Sequence, residues 1–151
     1  MNRRQALQSL ALGAASLPAL PGMTQSAKPA AGRAMLTRRV PSSGQSLAVI
    51  GLGTWQTFDV GTDPAVRAPL VQVMREFVAL GGQLIDSSPM YGRSEEVAGA
   101  VIAGLGLRAK LFIATKVWTT GRAAGIAQME ASMKKLGASP IDLMQVHNLQ
   151  D

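Results

Sequence analysis

Residues 83–116, QLIDSSPMYGRSEEVAGAVIAGLGLRAKLFIATK, decide the fold. Gln83 to Ser87 and Leu111 to Thr115, at the two ends, are short apolar runs of strand length. Between them the spacing predicts a helix that opens at Ser94 as N-cap, with Glu95 and Glu96 on the first turn, where carboxylates favour the helix dipole. Strand, helix and strand within about 30 residues describe two parallel strands joined by a right-handed crossover.

The pattern continues in both directions. Val49 to Gly53 and Ile141 to Val146 are further apolar runs at similar intervals. A helix is expected between the first two runs, with Leu70, Val73, Met74, Phe77 and Leu80 on one face, Pro69 near its start and Gly81-Gly82 as its stop. Another carries Ile126, Met129, Met133 and Leu136 and ends at Gly137, with Pro140 beyond. Methionines at this helical spacing are core filler. Ahead of the first run, Ala34 to Arg39 and Gln45 to Ala48 flank Pro41-Ser42-Ser43-Gly44 and read as a hairpin. The expected fold class is α/β, with about four βα units after an N-terminal β-hairpin.

Charge and composition narrow the function. The 151 residues hold 15 Lys and Arg against 9 Asp and Glu, 47% apolar residues and no cysteine. Without cysteine there is no disulfide scaffold, thiolate zinc site or cysteine nucleophile, and no metal site is expected. The net charge of +6 comes from residues 1–40, which carry Arg3, Arg4, Lys28, Arg33, Arg38 and Arg39 and no acid. The remainder balances nine bases against nine acids, so no basic stripe for a phosphate backbone falls on the folded part, and a nucleic-acid partner is not expected.

Residues 1–33 read as an address and a linker rather than as part of the domain at 34–151. Met-Asn-Arg-Arg-Gln is a cationic start, followed by an apolar run from Ala6 to Leu20 and then Pro21-Gly22. Gln8, Ser9, Gly13 and Pro18 interrupt that run, which falls short of the ~20 strongly apolar residues of a membrane span. The Arg3-Arg4 pair ahead of it resembles a twin-arginine export signal. The expectation is a signal peptide handled by the twin-arginine export machinery and a periplasmic protein, with a cytoplasmic one as the alternative.

Two α/β architectures compete. A dinucleotide fold needs Gly-x-Gly-x-x-Gly after its first strand, but Gly51-Leu52-Gly53-Thr54-Trp55-Gln56 lacks the third glycine. In a β/α barrel, polar chemistry gathers at the carboxyl ends of successive strands. There this chain places Asp86, Tyr91 five residues on, Lys116 and His147, the last being its one histidine and Tyr91 its one tyrosine.

Such a set can move a proton. An ammonium at Lys116 beside the Tyr91 phenol stabilises the phenolate and makes the phenol a proton donor, and Asp86 supplies the ammonium's counter-charge. His147 adds a donor that can orient a carbonyl. Asp86 and Lys116 alone would be an ion pair in a barrel rim; Tyr91 in the following loop favours a functional reading. Reduction also needs a hydride, which none of these side chains can supply and a nicotinamide cofactor can.

These residues carry a resemblance. Gly51-Leu52-Gly53-Thr54-Trp55, Ile85-Asp86-Ser87-Ser88-Pro89-Met90-Tyr91-Gly92-Arg93-Ser94-Glu95, Ala114-Thr115-Lys116-Val117-Trp118 and Ile141-Asp142-Leu143-Met144-Gln145-Val146-His147 resemble, in order and separation, the N-terminal half of an aldo/keto reductase. The resemblance implies a partial (β/α)8 barrel of the TIM type whose early hairpin plugs the bottom. It implies that Asp86, Tyr91, Lys116 and His147 form the catalytic tetrad, with Tyr91 as general acid. It places Gly53, Thr54, Trp55 and Asp86 at the nicotinamide end of NADPH, with NADH as the alternative, and makes Trp55 and Trp118 walls of an apolar pocket for a small carbonyl substrate. Glu95 and Glu96 are read as helix-start charges.

A whole barrel needs about 200 residues or more. The expectation is therefore reduction of an aldehyde or ketone to an alcohol once a second half completes the barrel, that half being a second copy or another chain. The alternative is an inactive fragment or interaction module that exposes an open sheet edge.

Overall fold

The computed structural model describes residues 35–148. The expected signal peptide and linker lie outside the described residues. Strands β1 (Thr37–Arg39) and β2 (Ser46–Ala48) pair antiparallel as the expected hairpin. Its turn needs the left-handed backbone that Gly44 supplies, at φ +70°. Ala48 donates its N–H to Gln83 Oε1 at 3.3 Å, which ties the hairpin to the amino end of the strand that follows Gln83.

Four strands then form one parallel sheet in chain order: β3 (Gly51–Gly53), β4 (Leu84–Asp86), β5 (Phe112–Val117) and β6 (Leu143–Val146). Gly53 pairs with Asp86, Asp86 with Ala114, and Lys116 with Gln145. Side chains alternate between faces along a strand. Ile85 and Ile113 on one face are fully buried, in a single cluster with Met74, Val97, Val101, Ile102 and Leu136 from the helices. The other face carries Asp86, Lys116 and Gln145, all half-buried. Because the three α-helices of the described residues cover one face of a parallel sheet, the architecture is an arc of a β/α barrel rather than a doubly wound sheet.

Helix α1 (Pro64–Ala79) begins five residues earlier than the sequence suggested from Pro69. Asp63 Oδ1 accepts the Ala65 N–H at 2.8 Å and Pro64 follows the cap, so the start is chemically complete there and Pro69 lies inside the helix. Of its expected apolar face, Met74 is buried and Leu70 and Phe77 pack on the core, whereas Val73 and Leu80 stay exposed. Helix α3 (Arg122–Leu136) ends as expected at Gly137, in the left-handed region at φ 60°.

Helix α2 (Ser94–Gly104) corrects two expectations. Ser94 is the first helical residue rather than the cap, and its buried hydroxyl donates to Thr54 O at 3.1 Å. Glu95 is no solvated helix-start charge: it is 1% exposed, accepts the Thr115 hydroxyl at 2.7 Å, and has Lys135 Nζ at 3.8 Å from its other oxygen. It joins α2 to β5 and α3. An acid in a first turn looks the same in sequence whichever way it faces; packing decided.

The α2–α3 contact gives a paired prediction. A Cβ added at Gly99 would run into the Lys135 carbonyl oxygen and Leu136 Cα, both backbone, whereas one added at Gly104 meets nothing within 4 Å. Gly99→Ala should lower the unfolding midpoint although alanine is the better helix former, and Gly104→Ala should leave it unchanged or raise stability by up to about 1 kcal/mol. Chemical denaturation of the two variants checks the opposite signs.

Candidate active site

The carboxyl ends of β3 to β6 bring the candidate residues together. Lys116 Nζ donates to Asp86 Oδ2 and to Ser87 O, each at 2.7 Å. The other Asp86 oxygen accepts the Gln145 side-chain amide at 3.1 Å. A carboxylate on β4 is thus held by a cation on β5 and an amide on β6, across three strands. Lys116 sits inside β5, which runs on to Val117, rather than at its end.

Tyr91 hangs over this pair on the loop between β4 and α2. Tyr91 N donates to Ser88 O and Ser94 N donates to Tyr91 O, both at 3.0 Å. The Arg93 N–H donates to Asp59 Oδ1 at 2.9 Å, and Gly92, at φ +57°, lies so near that carboxylate that a Cβ would collide with it. The loop is therefore pinned on both sides of Tyr91. Lys116 Nζ stands 5.1 Å from the Tyr91 ring centroid, within cation–π range. Lys116 thus faces the Tyr91 ring; among the described residues no hydrogen bond joins the ammonium to the phenol hydroxyl, where the sequence led us to expect the pairing.

His147 reaches the same place from the end of β6, its backbone N–H donating to Val117 O at 3.0 Å. Its ring meets that of Tyr91 edge-on at 5.8 Å, and the Trp55 ring lies tilted against Tyr91 at 6.3 Å. Asp86, Tyr91, Lys116 and His147 therefore share one rim.

The other expected contacts divide. Trp55 is 62% exposed, and Gly53 has no atom within 4 Å of where a Cβ would stand, so a flat ring has room there. Thr54, also expected near a nicotinamide, has its hydroxyl engaged within the protein. It is fully buried, with its hydroxyl 3.1 Å from Asp86 O and 2.8 Å from Ser87 Oγ, and so stitches β3 to β4. Trp118, half-exposed, lines an open cleft of about 1020 Å³ with Ile126, Met129, Val146 and His147; Trp55 is not part of that wall. The Gln128 side chain grips the Trp118 backbone, accepting its N–H at 2.6 Å and donating to its carbonyl at 3.1 Å.

Three residues at this rim escaped the sequence reading. Gln145 had a signal, a polar residue in an apolar strand two positions before His147 and so on the same face. Ser88 and Asp59 had none, because their partners lie 59 and 34 residues away.

A profile of the Aldo/keto reductase family matches residues 49–150. Methylglyoxal reductase YeaE of Escherichia coli K12 is 37% identical over 106 residues, covering 68% of this chain and 36% of that protein. An aldo-keto reductase of Mycobacterium sp. strain KMS is 37% identical over 109 residues, covering 70% of this chain and 36% of its own length. Among solved structures, an aldo-keto reductase from Klebsiella pneumoniae in complex with NADPH superposes with a TM-score of 0.65 at 30% identity, over 78% of this chain and 41% of that one. The chain spans little more than a third of the length of these curated relatives.

Proposed function

The chain belongs to the aldo/keto reductase family, and from that premise we propose that it supplies the proton-donating part of an NADPH-dependent reductase that turns an aldehyde or ketone into an alcohol. The observation that carries this reading is the convergence of Asp86, Lys116, Tyr91 and His147 on one rim, with Lys116 held at 2.7 Å by Asp86 and facing the Tyr91 ring.

The residues present fit the nicotinamide end of the cofactor. Gly53 leaves space for a flat ring, the exposed Trp55 offers a stacking face, and Asp86 stands beside them on the next strand. When bound, NADPH supplies the hydride that reduces the carbonyl carbon. Tyr91 gives its hydroxyl proton to the carbonyl oxygen, which becomes the alcohol oxygen. Lys116 stabilises the phenolate left behind, and solvent returns the proton. Asp86, Ser87 O and Gln145 hold the ammonium and its counter-ion in place, so little reorganisation accompanies the charge change. His147 orients the carbonyl oxygen, and the half-exposed Trp118 offers an apolar face to the rest of the substrate.

Catalysis on this reading needs a completing half-barrel added along β6. The strand is an edge of the described sheet, Leu143 and Val146 on it are exposed, and so are Trp118 and Ile126 nearby. The test is a titration of NADPH followed by nicotinamide fluorescence. The chain is measured alone and then paired with the second half of a relative's barrel expressed separately. Binding and NADPH consumption with a simple aldehyde should emerge on pairing. Discrete pairing with no binding at near-millimolar cofactor would instead identify an interaction module.

We further place the working protein in the periplasm, on the strength of Arg3-Arg4 and the short apolar run behind them. Changing both arginines to lysine should retain the chain in the cytoplasmic fraction; unaltered fractionation would overturn this.

A further inference from the structure

We infer that Ser88 is a positioning residue that fixes the proton of His147 on Nε2, leaving Nδ1 as a hydrogen-bond acceptor. Ser88 is fully buried, and its Oγ lies 3.1 Å from His147 Nδ1. The same Oγ accepts the Met90 N–H at 3.3 Å. A hydroxyl has one proton to give and lone pairs to receive. Met90 N can only donate, so among the described residues the one acceptor for the Ser88 proton is His147 Nδ1. Placing the ring proton on Nδ1 would instead leave two donors facing one oxygen and a buried O–H with no acceptor, an arrangement that folded proteins avoid.

The consequence reaches the chemistry. A neutral imidazole carries one N–H, and the hydrogen bond at one nitrogen selects which nitrogen bears it. With Nδ1 accepting from Ser88, the remaining N–H is on Nε2, free to donate to a carbonyl oxygen beside Tyr91, whose ring His147 meets at 5.8 Å. Ser88 also accepts the Tyr91 N–H through its own carbonyl at 3.0 Å, so one buried residue aligns the proton donor and the orienting histidine together. The catalytic part of this inference rests on the proposed carbonyl reduction, while the tautomer rests on geometry alone.

The chain contains a single histidine, so labelling its ring nitrogens gives one unambiguous pair of resonances, even when an unlabelled completing half is bound. Nitrogen NMR at a pH that keeps the ring neutral should show Nδ1 bare and Nε2 protonated. Ser88→Ala should move the Nδ1 resonance and, in the completed barrel, lower kcat about tenfold at unchanged KM for NADPH, a fraction of the ~10²–10⁴ that a positioned proton-transfer group supplies. Ser88→Thr, which keeps the hydroxyl, should restore both. A proton on Nδ1 in the unaltered chain overturns the inference, as does an alanine variant whose ring resonances and kcat match the original. If the alanine variant does not fold, the unaltered chain and the threonine variant decide. Absence of reductase activity alongside a bare Nδ1 would remove the proposed function and leave the tautomer assignment standing.

Discussion

Tyr91→Phe in the completed barrel should lower kcat/KM for the proposed carbonyl reduction about 10²–10⁴-fold, the range a positioned general acid contributes, while the unfolding midpoint should stay where it was. The two halves of this expectation come from different features of the same side chain. The ring makes the tilted contact with Trp55, the edge contact with His147 and the cation–π contact with Lys116, and phenylalanine keeps all three. The loop is pinned by backbone bonds to Ser88, Ser94 and Asp59 that do not involve the phenol. Only the transferable proton is lost, so KM for NADPH should also hold. Steady-state NADPH consumption and a denaturation curve on the same preparation measure both. Undiminished turnover would take the proton-donor role away from Tyr91.

Lys116→Met should be nearly as severe for turnover and, unlike the first substitution, should also cost stability. The ammonium is the positive charge next to the phenol, and removing one preorganised charge partner of a developing anion costs about 10²–10³-fold in rate. It also donates to Asp86 Oδ2 and Ser87 O, and its loss leaves Asp86 with Gln145 alone. Because 33% of the Asp86 side chain remains accessible, water takes over part of that pairing, and the expected stability loss is about 1 kcal/mol. A large stability loss at full activity would mean that the pair is a strut between β4 and β5 and nothing more.

How far the sequence carried can be seen residue by residue. The four apolar runs became β3 to β6, three of them shortened by two residues and β5 shifted on to Val117, because burial and alternation are local properties of a strand. The shared rim of Asp86, Lys116 and His147 followed from the rule that barrel chemistry gathers at strand ends. Helix boundaries were less legible: Pro69 drew the start of α1 away from Asp63-Pro64, although the latter has both a side-chain cap and a first-turn proline. The facing of side chains was not legible at all where it depends on another element. Thr54 and Glu95 are polar residues at a rim and a helix start, positions that suggest solvent, yet both are buried because Asp86 O, Ser87, Thr115 and Lys135 meet them there. Ser88 is the same case seen from function, since its meaning depends on His147, 59 residues away.

The most direct test of the account follows the hydride. The chain paired with its completing half is incubated with NADPH deuterated at the reactive nicotinamide carbon and a simple aldehyde, and the product is examined by mass spectrometry. Alcohol carrying deuterium on the former carbonyl carbon, formed by the unaltered chain and lost with Tyr91→Phe, is the predicted result. Cofactor bound at the rim with no labelled alcohol formed would contradict it.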